Sequence, residues 1–116
     1  MKAGSQLYRT ADLLNEPVWK VYVAIRITGI RLEGGAGHEH IGRLWWVNPA
    51  SGAAEERPNT RAELVAWIED QNGKAYVESG GHRADVGVVK PPYGPKYLRT
   101  YADGQWTDNL LALPHR

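Results

Sequence analysis

The sequence predicts an α+β domain: one mostly antiparallel β-sheet of about five strands, with a single α-helix packed on one face, in the order β-β-α-β-β-β. Three observations predict it. "VWKVYVAIRIT" alternates apolar and polar side chains at the period of a half-buried strand. "TRAELVAWIEDQNG" carries the one clear helical stripe. The pair Asp103-Gly104 favours the left-handed backbone of a tight hairpin between "YLRTYA" and "QWT".

In chain order, residues 1–17 read as an N-terminal arm and 18–116 as a single α+β domain. Within the arm, "TADLLNE" suits a short helical turn capped by Thr10 and stopped by Pro17. In the first strand Trp19, Val21, Val23, Ile25 and Ile27 share a face, and Lys20, Arg26 and Thr28 take the other. Gly29 shifts the phase to Ile30 and Leu32, as a bulge would. "EGGAGHEH" is a loop, "IGRLWWVN" the second strand, and "PASGAAEERPN" a polar connection. In the helix Thr60 and Glu63 form a capping box, Leu64, Trp67 and Ile68 the apolar stripe, and Gly73 the C-terminal cap. Short strands follow near "KAYVE", "ADVGVV" and "KYLRTYA", with "PPYGP" as a turn.

Composition narrows the function classes. A chain of 116 residues is one domain, and its size buries enough surface for one core without staples. The absence of cysteine removes disulfides, thiolate metal sites and thiol nucleophiles, and suits a reducing cytosol. No apolar run approaches the ~18 residues of a membrane helix, and the N-terminus lacks the pattern of a signal peptide. The formal net charge is +1 and no two Lys or Arg residues are adjacent, which argues against generic nucleic-acid binding.

The closing stretch "KYLRTYADGQWTDNLLALP" is the densest in candidate chemistry. Together with "RITGIRL", "HIGRLWWV" and the helix ending in Gly, its elements "YLRT", Asp103 and "DNLLALP" resemble a family of small bacterial and phage proteins, domain-of-unknown-function family 3892, over roughly Ile25 to Pro114. The resemblance implies one compact α+β domain and carries over no catalytic residue. Membership among bacterial and phage proteins admits roles in host defence or counter-defence without selecting one.

Along the sixth of these segments Tyr97, Arg99 and Tyr101 alternate with Leu98, Thr100 and Ala102. This sets an aromatic–Arg–aromatic stripe on one face, able to stack a flat anionic ligand. The commoner explanation is a strand with an amphipathic outer face. Trp106, His82, Arg83 and Arg43 complete the candidate ligand-binding set. Asp108 and Asn109 read as turn-formers, followed by Leu110, Leu111 and Leu113 dropping into the core. Trp45 and Trp46 are adjacent on a strand, so one must point away from the core, beside Arg43 or Arg99, as an interface for a symmetric dimer or a flat ligand.

His38, His40 and His82, with Glu39 or Asp85, are weak candidates for a divalent metal. Ser79, His82 and Asp85 supply the letters of a triad but crowd them into seven residues, and no G-x-S-x-G elbow occurs. The two glycine-rich stretches "GGAGHEHIG" and "SGGHRADVG" would serve as anion nests or, more commonly, as hairpin turns. The expectation is therefore a non-enzymatic binding domain without cofactor, holding a small anionic, nucleotide-like ligand or a protein partner, with homo-oligomerisation open. A metal-dependent enzyme built on His38, His40 and His82 is one alternative. A single-strand nucleic-acid binder stacking bases on Tyr97, Tyr101 and Trp106 is the other.

Overall fold

A computed structural model describes residues 24–51 and 55–116. The N-terminal arm, the short helix expected within it, and Trp19, Val21 and Val23 lie outside the described residues. Among the described residues seven strands form one sheet: β1 (Ile25–Leu32), β2 (Ile41–Val47), β3 (Arg57–Thr60), β4 (Ala75–Ser79), β5 (His82–Val89), β6 (Tyr97–Ala102) and β7 (Gln105–Thr107). The one helix among the described residues, α1 (Arg61–Gln71), connects β3 to β4. Spatial order is β3-β2-β1-β4-β5-β6-β7. Every neighbouring pair is antiparallel except β1 and β4, which run parallel.

The fold is thus mostly sheet with one helix, but seven strands replace the expected five or so. β7 is a full partner of β6, and β3 takes the last three residues of the stretch expected to be a polar connection together with Thr60. β3 reads "RPNT", with no apolar period, and among the described residues it pairs with β2 alone, at the edge of the sheet. Pro58 is tolerated because an edge strand has ladder positions that need no N–H donor.

Side-chain alternation assigns the faces. Ile25, Ile27, Ile30, Leu44, Trp46, Ala75, Val77, Val86 and Leu98 are buried together with Leu64, Val65 and Trp67 of α1. Each large apolar side chain removed from water contributes ~1.5–3 kcal/mol. The Gly29 phase shift takes the form of a bulge: the β1–β2 register slips between Ile27 and Gly29, which returns Ile30 to the inner face. Trp46 is the inward member of the tryptophan pair, its indole N–H donating to Asn59 Oδ1 at 2.7 Å.

Capping of α1 follows its sequence at the front and departs from it at the back. Thr60 Oγ1 accepts from the Glu63 amide, and the Glu63 carboxylate accepts from the Thr60 amide. These bonds hold the Glu63 carboxyl below its ordinary range. At the C-terminus Asn72, not Gly73, takes the left-handed conformation, with φ 56°. Gly73 is needed for space: a Cβ there would run into the Trp67 indole. The second glycine-rich stretch shrinks to a turn. Gly80 and Gly81, with φ +57° and +81°, join β4 directly to β5, so His82 already belongs to a strand.

One hydroxyl organises the end of the chain. Thr100, at 0% exposure, donates to the Thr107 carbonyl at 3.1 Å and accepts from Thr107 Oγ1 at 2.7 Å and from the Leu110 amide at 3.3 Å. All three of its hydrogen-bonding capacities are used. Leu110 is thereby seated in the core, and Leu111 and Leu113 pack against it. The chain then reaches β1, where the Ile30 amide donates to the Pro114 carbonyl and the Arg116 amide donates to the Ile30 carbonyl.

Candidate functional site

With α1 and the leucine segment covering the inner face, chemistry is left to the outer one. Cross-strand register sets Arg26, Tyr76, Asp85, Tyr101 and Trp106 in one row across β1, β4, β5, β6 and β7. Tyr101 and Trp106 remain 43% and 44% exposed, and their rings meet edge-to-face with centroids 5.2 Å apart at 75°. Asp103 and Gly104, both with positive φ, make the tight turn that sets this pairing. Across β6, Gly87 leaves a bare place under the indole: a Cβ there would lie 3.3 Å from the Trp106 ring. Beside this shelf the Arg83 guanidinium stacks over Tyr76, 3.7 Å from the ring centroid.

Tyr97, Arg99, Tyr101, Trp106 and Arg83 therefore share one face of three adjacent strands. Arg43 does not: it sits on β2 opposite Arg31 and Thr60, with β1, β4 and β5 between it and β6. His82 is at the start of β5 opposite Ser79, with the parity of the other face. That parity also separates His82 from Asp85, so the triad letters do not assemble. Tyr76 is not singled out by the sequence reading. Its signal is the alternation of "AYVES", which puts Tyr76 and Glu78 on the face opposite Ala75 and Val77; Tyr76 is nonetheless buried, with the Arg83 guanidinium over its ring.

Arg99 corrects an expectation. It is not a free cation between two tyrosines, because Nε donates to the Thr107 carbonyl at 3.0 Å and Nη2 to Asp108 Oδ1 at 2.9 Å. Asp108 in turn spends its carboxylate on Arg99, not on the amides ahead of it, while its carbonyl accepts from the Ala112 amide to make the turn. His38 closes the group, its Nε2 buried without a hydrogen-bond partner and 3.5 Å from Asp108 Oδ1. Burial first, and the nearby Arg99 charge second, hold its imidazole below the ordinary 6.5, against the opposite pull of Asp108 and Glu39.

The histidines do not gather. His40 Nδ1 lies 3.1 Å from the Glu33 carbonyl, and His82 is on β5. Among the described residues no three His, Asp or Glu side chains stand together as a metal site needs. On the other half of the outer face the Arg31 and Arg116 guanidinium carbons lie 5.1 and 5.6 Å from the Trp45 ring centroid. The outward tryptophan thus has arginines beside it, but they are these two in place of Arg43 or Arg99. Arg116 also pairs with Glu56, whose carboxyl is lowered by bonds from Thr28 and Arg116.

Among the described residues, a seven-stranded sheet covered on one face by a single helix and carrying aromatic and arginine side chains on the other is the class of protein these features define. The chain belongs to the family described as a protein of unknown function, DUF3892, whose profile matches residues 26–114. No curated protein matches it, and no solved structure does. Among the described residues no helix is long and apolar enough to cross a membrane.

Proposed function

We propose that the protein is a non-enzymatic binding domain that holds a flat, anionic, nucleotide-like ligand on the outer face of β4–β7. The observation that carries this reading is the Tyr101–Trp106 pair: two large rings, nearly half exposed, held by strand pairing beside a bare glycine. Rings kept in water at fixed geometry are a ready stacking surface, worth ~1–3 kcal/mol per base. Arg83, already stacked on Tyr76, supplies a cation at the shelf's edge. Arg99 has a different part in this reading. Bonded to Thr107 and Asp108, it fixes the hairpin that presents Trp106.

The test is a fluorescence titration with nucleoside monophosphates on the intact protein and on Trp106→Ala and Tyr101→Ala. Saturable quenching in the parent, weakened about tenfold or more in each variant with circular dichroism unchanged, supports the proposal. Absence of binding, or equal binding in the variants, overturns it. An oligonucleotide would use the same rings but would show an affinity falling steeply with salt.

A further inference from the structure

β1 and β4, the sheet's parallel pair, stay together only at Ile25–Ala75 and Arg26–Tyr76. Beyond those residues each leaves for its own hairpin, β1 with β2 and β4 with β5, on opposite sides. The end of the chain meets β1 again at Ile30, closing the far end of the gap. Between the splayed strands is a cavity of about 340 Å³, at the small end of the ~300–1,000 Å³ typical of ligand sites. In open sheets, ligands are taken up at such places, beyond the carboxyl ends of parallel neighbours whose connections depart in opposite directions.

The lining is divided in its chemistry. Ile27, Val77 and Leu113 supply apolar wall, and Arg26, Glu78 and Asn109 supply polar groups. Among the described residues these last three make no side-chain hydrogen bond or ion pair. That is notable for Arg26 and Glu78, of opposite charge on adjacent strands and two register positions apart. Arg83, which faces Glu78 across β4–β5, is taken up by the Tyr76 ring and leaves the carboxylate unpaired. The cavity therefore offers one cation, one anion, an amide and an apolar wall; Thr28, which also lines it, is bonded to Trp45 and Glu56, but Arg26, Glu78 and Asn109 are not spent on other described residues.

We propose that this crevice binds a small zwitterion of the α-amino-acid type, its carboxylate on Arg26, its ammonium on Glu78 and an apolar side chain against Ile27, Val77 and Leu113. Guanidinium suits a carboxylate through paired N–H donors, and a carboxylate accepts readily from an ammonium group. The proposal is independent of the aromatic shelf.

Two-dimensional amide NMR of the intact protein, titrated with L-leucine, L-leucinamide and N-acetyl-L-leucine, tests it. L-Leucine is expected to move the amides of residues 26–28 and 77–79, and each blocked analogue to bind about tenfold more weakly. Arg26→Gln should abolish the preference over leucinamide alone, and Glu78→Gln the preference over N-acetylleucine alone. Both side chains are exposed, so the spectra of the variants also report that the fold is kept. No shifts at millimolar leucine, shifts confined to other residues, or equal binding of the blocked analogues would overturn the proposal.

Discussion

Trp46 and Trp45 are neighbours in sequence and opposites in environment. Trp46 is 1% exposed, packed in the core with its one polar atom bonded to Asn59. Trp45 is half-buried, with the Arg31 and Arg116 guanidinium groups near its face. The same contrast runs through the whole sheet. The inner face excludes water and saturates its buried hydroxyl, whereas the outer face covers Trp45 and Tyr76 with arginines and leaves Tyr101 and Trp106 accessible. Period-two alternation thus makes two surfaces with different energetics. Substitutions on the inner side should be felt in stability, and those on the outer side chiefly in binding.

The largest expected effect is Trp67→Ala, which empties the centre of the helix–sheet contact. It should cost ~3–5 kcal/mol in urea unfolding. A loss below about 1 kcal/mol would break the comparison, since α1 would not be docked through that ring. Next is Thr100→Val, which keeps shape but strands the Thr107 hydroxyl and the Leu110 amide, at a cost of ~1–3 kcal/mol. An unchanged unfolding midpoint would show that the hydroxyl is incidental.

Arg99 and Asp108 sharpen the boundary between the two faces. The pair is partly exposed, so a double-mutant cycle with Arg99→Ala and Asp108→Ala should give a coupling of only ~0.2–1 kcal/mol. A coupling of several kcal/mol would move this pair to the architectural side. The smallest effect concerns His38. The unfolded chain takes up a proton near 6.5, while the folded chain resists it until lower pH, so stability should fall as pH is lowered through that value and be fully present above it. His38→Gln should flatten this slope between about pH 5 and 7. The lowered carboxyls of Glu56 and Glu63 contribute stability above 4.5 that is lost on further acidification, a separate window that the variant should retain. An identical slope in His38→Gln would refute the assignment.

What was legible in the sequence is what short-range chemistry determines. The capping box, the Gly29 bulge, the Asp103-Gly104 turn and the leucine segment all rest on neighbours in the chain, and the structure has each of them. β3 was not legible, because "RPNT" becomes a strand only through β2 beside it. Nor was the partner of Arg99, which lies nine residues on across a hairpin. Alternation grouped Tyr97, Arg99 and Tyr101 correctly on one face, but it has no term for the strands between β2 and β6 that keep Arg43 away. The crevice depends on the parallel pairing of β1 with β4 across the intervening helix, which no local pattern encodes.

The bond between Ile30 and the end of the chain has a consequence in time. It joins segments far apart in the sequence, and the adjoining Arg31–Arg116 bond spans 85 residues. Closing so long a loop is entropically the costliest step, so this contact should form after the hairpins and the helix, and be absent from the folding transition state. Gly29, lying under the Arg116 side chain, reports on it: a methyl group there would come within 2.8 Å of Nε and require the arginine side chain to shift. Gly29→Ala should therefore leave the folding rate nearly unchanged and accelerate unfolding, making the last residues a latch whose strength sets how long the native state lasts once formed.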